Sequence, residues 1–377
     1  VAGGTSPAPR LGTAQKSTEE TEQMIEPCTR GSRLATALLA ITLSSLASAQ
    51  SAGMAYISNQ QGQVSVVELK SMSVVGTLDI GATGPRGLGI TSDGQWLVTA
   101  NKDDENISIV DTASGKLVRH VQIGKNPEFV RVVGTTAFVT YEPSGGSGPG
   151  PQPGGAARAK ADDDDKIPGH IAVVDLKAGK VILDIVGKPE TEGVEFSRDG
   201  RQLIVANESD NSLSVHDIAT GELVKTVSLA KFGNRPRGIK LSPDGKFYVT
   251  TLEFSGKLVV LDDKLEPLSE IATGKFPYGV SFDRSGKRVF VAANRDQVLE
   301  VFDTKTWAKI KDIPIGERCW HFSFTPDDRE ILLACGKSNE VVVVDANTLE
   351  VTGRINGMKT PWGIVTYPKS MGSLDQP

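Results

Sequence analysis

Histidine and cysteine are scarce in this chain, with four and three copies in 377 residues, and aromatic residues make up only 6% of it. That scarcity removes most reactive chemistry at once. There is no Gly-x-Ser-x-Gly elbow for a serine nucleophile, no glycine-rich phosphate loop leading into a helix and no His-Glu-x-x-His zinc pair. No Cys-x-x-Cys-His motif for covalent haem attachment occurs either. Basic clusters are also missing. A net charge of -5 and a pI near 5.6 leave no surface of the kind that binds nucleic acid. No long amphipathic segment is present, so a helical fold is not expected. No catalytic residue, resident cofactor or metal site is expected from these absences.

What the chain does contain is glycine, 40 copies, set in a repeat. The segment Phe196–Gly221 serves as the template. An apolar strand ends at the turn Ser197-Arg198-Asp199-Gly200, and Leu203–Asn207 forms a second strand. A polar loop precedes the third strand, Leu213–Asp217, and the turn Ala219-Thr220-Gly221 leads into the fourth. Turns of this kind recur at Asp93-Gly94, Asp244-Gly245, Ser285-Gly286 and Asp327-Asp328, about 40 to 45 residues apart over the later units, which is the period of a propeller blade. The acidic residue closing the third strand recurs seven times, at Glu68, Asp111, Asp175, Asp217, Asp262, Asp303 and Asp345. An Asp before such a turn normally accepts hydrogen bonds from turn amides, so these residues are read as structural. The fold predicted is all-β, a seven-bladed propeller of four-stranded antiparallel blades. The first unit lacks its opening strand and Pro361–Tyr367 is an opening strand with nothing after it, so the C-terminal strand is expected to complete the N-terminal blade.

Four segments fall outside the regular repeat. Residues 1–23 are polar and are read as a non-native extension ahead of Met24. Residues 24–49 carry Arg30 and Arg33, an apolar run from Leu34 to Leu46 and the small-residue stretch Ala47-Ser48-Ala49, the pattern of a secretory signal peptide. The propeller then covers 50–367, and 368–377 is left as a tail. Within the third blade, 143–168 is rich in Pro, Gly and Ser and includes the acidic run Asp162–Asp165, a composition that cannot bury a core and predicts a disordered insertion. Adjacent carboxylates lack the spaced ligands of a calcium loop, so a solvated tract is the better reading of the run. Export implies a periplasmic or secreted protein with no membrane span.

The segments Val205-Ala206-Asn207, Val98-Thr99-Ala100-Asn101 and Val291-Ala292-Ala293-Asn294, with Ser242-Pro243-Asp244-Gly245 and Thr220-Gly221, resemble the repeats of bacterial YVTN seven-bladed propellers. The resemblance covers the chain from residue 50 onward. It implies kinship with propellers similar to the haem d1 domain of nitrite reductase and with those accompanying quinoproteins. A binding or assembly module serving a quinoprotein or cytochrome oxidation system is the function it suggests, with a lactonase-like hydrolase or a haem d1 or quinone binder as the alternatives.

Candidate site residues come from the slot just before each opening strand, in the pattern Pro-x-Gly. Around the ring the slot holds Trp362, Arg86, Glu128, Glu192, Arg237, Tyr278 and Trp320. Three aromatics on consecutive blades, flanked by Arg86 and Arg237, suit a flat anionic small molecule at the channel mouth, and a periplasmic protein partner is the other expectation. The competing reading pairs Arg with Glu across the mouth and lets the aromatics plug the channel. Arg86 and Arg237 are both taken as exposed loop residues. Glycine follows the slot except at Phe129 and His321, which makes His321 the best single candidate for proton transfer or for ligating a metal or haem. The second-strand residues Asn59, Asn101, Asn207 and Asn294 are read as turn formers. Cys319 and Cys335 flank one hairpin, opposed or one position out of step. A disulfide between them is the expected state after export, with free thiols, or copper or zinc held with His321, as the alternatives.

Overall fold

The computed structural model describes residues 53–142 and 167–377. The leader segments 1–23 and 24–49 lie outside the described residues. So does the insertion, apart from Ile167 and Pro168, and Pro168 already begins a strand.

Among the described residues, twenty-eight strands form seven four-stranded antiparallel sheets. The first three are β1 (Met54–Asn59), β2 (Val64–Glu68) and β3 (Ser73–Leu78). The opening strands of the following blades are β4 (Pro85–Ile90), β8 (Val130–Val133), β12 (Thr191–Phe196), β16 (Pro236–Leu241), β20 (Pro277–Phe282) and β24 (Cys319–Phe324). The last strand, β28 (Pro361–Tyr367), pairs antiparallel with β1, with Ile57 opposite Ile364, so the first blade has the order β28-β1-β2-β3. Closure leaves neither end of the repeat with an unpaired inner edge.

Burial within a blade follows strand position. Middle strands such as Leu203–Ala206 and Val341–Val344 are buried on both faces because the neighbouring blade covers each side. Every Val or Ile withdrawn there contributes about 1.5–3 kcal/mol. Adjacent blades lock through contacts such as Phe290 against Phe324, edge to face at 5.2 Å. Outer strands face solvent instead, leaving Val74, Val75, Leu223 and Val224 exposed. The third-strand acids do cap their turns: Asp217 Oδ1 accepts from the amides of Ala219 and Thr220, and Asp303 and Asp345 repeat the arrangement. Asp328 occupies the left-handed turn position that glycine holds at Gly245, with φ of 59° against 69°.

Candidate functional site

The slot residues converge because the opening strands all begin at the same end of the ring. Glycine after the slot is a matter of space. A Cβ on Gly87 would stand 2.2 Å from the carbonyl oxygen of Glu128 on the next blade, and one on Gly193 would stand 2.4 Å from that of Arg237. Two residues before the slot, the chain passes through the left-handed region at Asn126, Glu190, Arg235, Phe276, Arg318 and Thr360. Several of these are pinned by their own blade. The carbonyls of Glu190, Arg235 and Thr360 accept the amides of Glu208, Glu253 and Gln60, each the residue just past a second strand. Three positions per blade thus form the mouth.

On one arc of the mouth the chemistry is ionic. Arg237 is 8% exposed and Arg86 6%, so neither is the exposed loop residue expected from sequence. Arg86 pairs with Glu128 and donates to Asn126 Oδ1 at 3.4 Å. Arg237 Nε donates to Glu253 Oε2 at 2.7 Å, its NH1 pairs with Glu192 and Glu208, and its guanidinium lies 4.8 Å from the Tyr278 ring. Arg235 pairs with Glu208 and lies 3.6 Å from Glu190 and 3.7 Å from Glu253. Burial opposes the charge on Arg237, yet Glu192 and Glu253 hold its pKa well above the usual value. Glu142, which accepts from Asn126 Nδ2 at 3.4 Å, has its pKa pushed up to about 8 by burial and by the nearby Glu190 and Glu192. Six buried glutamates here face three arginines, so the expected anion clamp between Arg86 and Arg237 is not assembled. The guanidiniums are already neutralised.

The other arc closes the channel. His321 meets Trp362 at 4.4 Å between ring centres, Tyr278 at 5.4 Å and Phe129 at 5.8 Å. The two residues that replace glycine after the slot therefore fill the axis. His321 is 2% exposed; its Nδ1 lies 3.1 Å from Ser373 Oγ, and its Nε2 has no hydrogen-bond partner. Burial lowers its pKa to about 3, so the ring is neutral. Trp320 only packs, partly buried, against the edge of the apolar cluster that holds Phe129 and Trp362. It lies half-buried against Arg318 and Gly336. The aromatic wall is thus Tyr278, His321, Trp362 and Phe129 rather than the three slot aromatics.

Cys319 lies opposite Cys335 with sulfurs 1.97 Å apart, and among the described residues no three His, Cys, Asp or Glu side chains could hold a metal ion. Asn59, Asn101 and Asn207 bond within their own turns, for instance Asn101 Nδ2 to Asn106 Oδ1 at 2.8 Å. Sequence reading missed two sets. Glu142, Glu208 and Glu253 each follow a second strand, a position repeated from blade to blade. Arg131, Glu195 and Lys240 stand three residues beyond the slot, where a charge on an inner strand was itself the signal.

Comparison with known proteins agrees with this architecture. A family model described as the cytochrome D1 heme domain matches residues 167–312, and one described as a YNCE-like β-propeller matches 280–372. The dihydro-heme d1 dehydrogenase of Pseudomonas aeruginosa is 24% identical over 348 residues, covering 85% of this chain and 63% of that protein. Protein NirF of Stutzerimonas stutzeri is 21% identical over 206 residues, covering 49% of this chain and 53% of NirF. The chain therefore spans less than two thirds of the length of either relative. Among solved structures, the periplasmic gluconolactonase PpgL of Pseudomonas aeruginosa superposes with a TM-score of 0.64 at 18% identity, over 83% of this chain and 99% of that one.

Proposed function

The chain is a cytochrome d1-like seven-bladed propeller, and from that premise we propose that it is a periplasmic binding module that docks a basic protein of a cytochrome or quinoprotein system. One observation carries the reading: the buried glutamates crowded on one arc of the mouth, with Glu128, Glu142, Glu190, Glu192, Glu208 and Glu253 against Arg86, Lys102, Arg235 and Arg237, while Arg318 lies on the other arc. With Glu142 protonated that arc is one charge negative. In a low-dielectric rim such an excess projects a field that attracts a lysine-rich surface and excludes an acidic one.

A haem d1 group, which the relatives bring to mind, does not fit this mouth. Its carboxylates would have to displace Glu192, Glu208 or Glu128 from arginines already paired. The imidazole nearest the axis is enclosed by Trp362, Tyr278 and Phe129. The periplasmic assignment draws on the signal pattern read in 24–49 and on the bonded pair Cys319–Cys335, since disulfides persist in oxidising compartments. Thiol titration of unreduced protein should find neither cysteine reactive, and two reactive thiols would count against both bond and compartment.

The test of docking uses a lysine-rich c-type cytochrome as the probe, titrated against the protein at low and at physiological salt. Binding is expected to weaken by an order of magnitude or more as salt rises, and to weaken again in Glu192→Gln/Glu208→Gln. No binding at low salt, or binding indifferent to both salt and the double substitution, would reject the reading. Turnover of gluconolactone would favour the hydrolase alternative.

A further inference from the structure

We propose that the end of the channel opposite the mouth is an anion site for a small carboxylate ligand, held closed by the chain's own Asp375. Three inner strands supply its wall. Arg131 on β8, Glu195 on β12 and Lys240 on β16 each stand three residues past a slot position, and each is no more than 4% exposed. Arg131 NH2 lies 3.2 Å from Glu195 Oε1, and Lys240 Nζ lies 3.8 Å from Glu195 Oε2, so one carboxylate is shared by two cations. Burial and the neighbouring Arg131 lower the Lys240 pKa to about 7, so the strands alone set Arg131 and a partly charged Lys240 against Glu195.

The segment after β28 completes it. Lys369 Nζ donates to the Val132 carbonyl at 2.7 Å and stands 2.9 Å from Asp375 Oδ2, adding a third cation. Asp375 Oδ2 also accepts the Ile90 amide at 3.1 Å, and its Oδ1 lies 3.8 Å from Arg131 Nε. Lys240 Nζ donates to the Leu374 carbonyl at 3.3 Å, and Gln376 Nε2 to Glu195 Oε2 at 3.0 Å. Ser373 Oγ donates to the Phe322 carbonyl at 3.1 Å, and Leu374 is wholly buried. An ammonium, a guanidinium and a main-chain amide around one carboxylate are the groups that would receive a free acid.

Two further observations point to a ligand rather than to simple anchoring. Arg131 Nε and NH1 make no hydrogen bond although the side chain is 4% exposed, and buried guanidinium donors are rarely left so. A cavity of about 1190 Å³ is bordered by Arg131, Glu195, Lys369 and Gln376, so it reaches one side of the ring, while Lys240 and Asp375 lie behind that wall. Because Asp375 is tethered, it competes at high effective concentration, and a free acid gains the site only when the segment lets go. Removing its charge leaves Arg131, Lys369 and a Lys240 whose pKa burial lowers to about 7 against Glu195.

The experiment measures melting temperature in succinate, inorganic phosphate and chloride at matched ionic strength, for the full chain and for Asp375→Asn, which keeps the shape of the side chain. Succinate is expected to raise the melting point of Asp375→Asn at concentrations at least tenfold lower than it does in the parent. Phosphate should act more weakly, chloride not at all, and the added substitution Arg131→Gln should abolish the gain. A chain ending at Pro368 should also bind a peptide of residues 369–377, with its Asp375→Asn version at least tenfold weaker. If that truncated chain fails to fold, the point variant still decides. Equal succinate response in parent and Asp375→Asn, or a response that survives Arg131→Gln, overturns the site. Phosphate acting as strongly as succinate overturns the assignment to carboxylates.

Discussion

The two ends of the channel carry opposite charge imbalances, although the same seven strands reach both. At the mouth, Glu192, Glu208 and Glu253 crowd Arg237, and carboxylates outnumber guanidiniums. At the far end Arg131, Lys240 and Lys369 outnumber Glu195, and Asp375 restores part of the balance. Between them the rings of Phe129, Tyr278, His321 and Trp362 separate the two. The lesson is that binding chemistry in this propeller is set by position along an inner strand. A slot residue meets loops of its neighbours, whereas a residue three places on meets the segment that follows β28.

The largest effect expected on this comparison comes from removing 360–377, which takes away both β28 and the group that balances the far end. The first blade would lose its inner strand, and cooperative unfolding should disappear from a thermal or urea scan. An unchanged transition would refute the closure argument. Next in size is Arg237→Ala. Its loss strands Glu192, Glu208 and Glu253 in a buried setting, at a cost of about 3–5 kcal/mol by urea denaturation. A loss below about 1 kcal/mol would mean the mouth is solvated and the pairing unimportant.

A smaller effect is expected from Glu142→Gln, and its sign follows from proton binding. The folded protein keeps the Glu142 proton up to about pH 8, while the unfolded chain releases it near the ordinary value of 4.5. Through that window the folded state binds more protons, so this group's contribution to stability falls as pH rises from about 4.5 to about 8. Glutamine removes the titration. The variant should be more stable than the parent at pH 8 by roughly 1–3 kcal/mol and nearly equal to it at pH 4.5. A constant difference across that range would contradict the raised pKa. His321 runs in the opposite sense: its depressed pKa means stability is lost as pH falls from about 6.5 toward about 3, because the unfolded chain takes up the proton first.

Much of this was legible in the sequence because the blade repeat places turns, third-strand acids and slot residues at fixed offsets. The closing role of Pro361–Tyr367 was readable from an opening strand with no successor. Contact partners were harder to read. Trp320 and Trp362 hold the same slot and the ladder is irregular at both, yet Trp362 packs on His321 while Trp320 lies beside Arg318. Arg237 looked exposed because loops usually are, but Glu208 and Glu253 from the loops after the second strands cover it. Ser370, Ser373 and Asp375 form no periodic pattern, so nothing local announced that they are buried.

The account's central claim is that the mouth is an acidic docking face and not a tetrapyrrole site. Its most direct test is the visible absorption spectrum of protein recovered from the periplasm, taken before and after addition of haemin or haem d1. A colourless preparation whose added tetrapyrrole keeps the spectrum of the free compound is the predicted result. A haem band that co-purifies, or one that shifts on titration and is lost in Arg237→Ala while the protein remains folded, would contradict it.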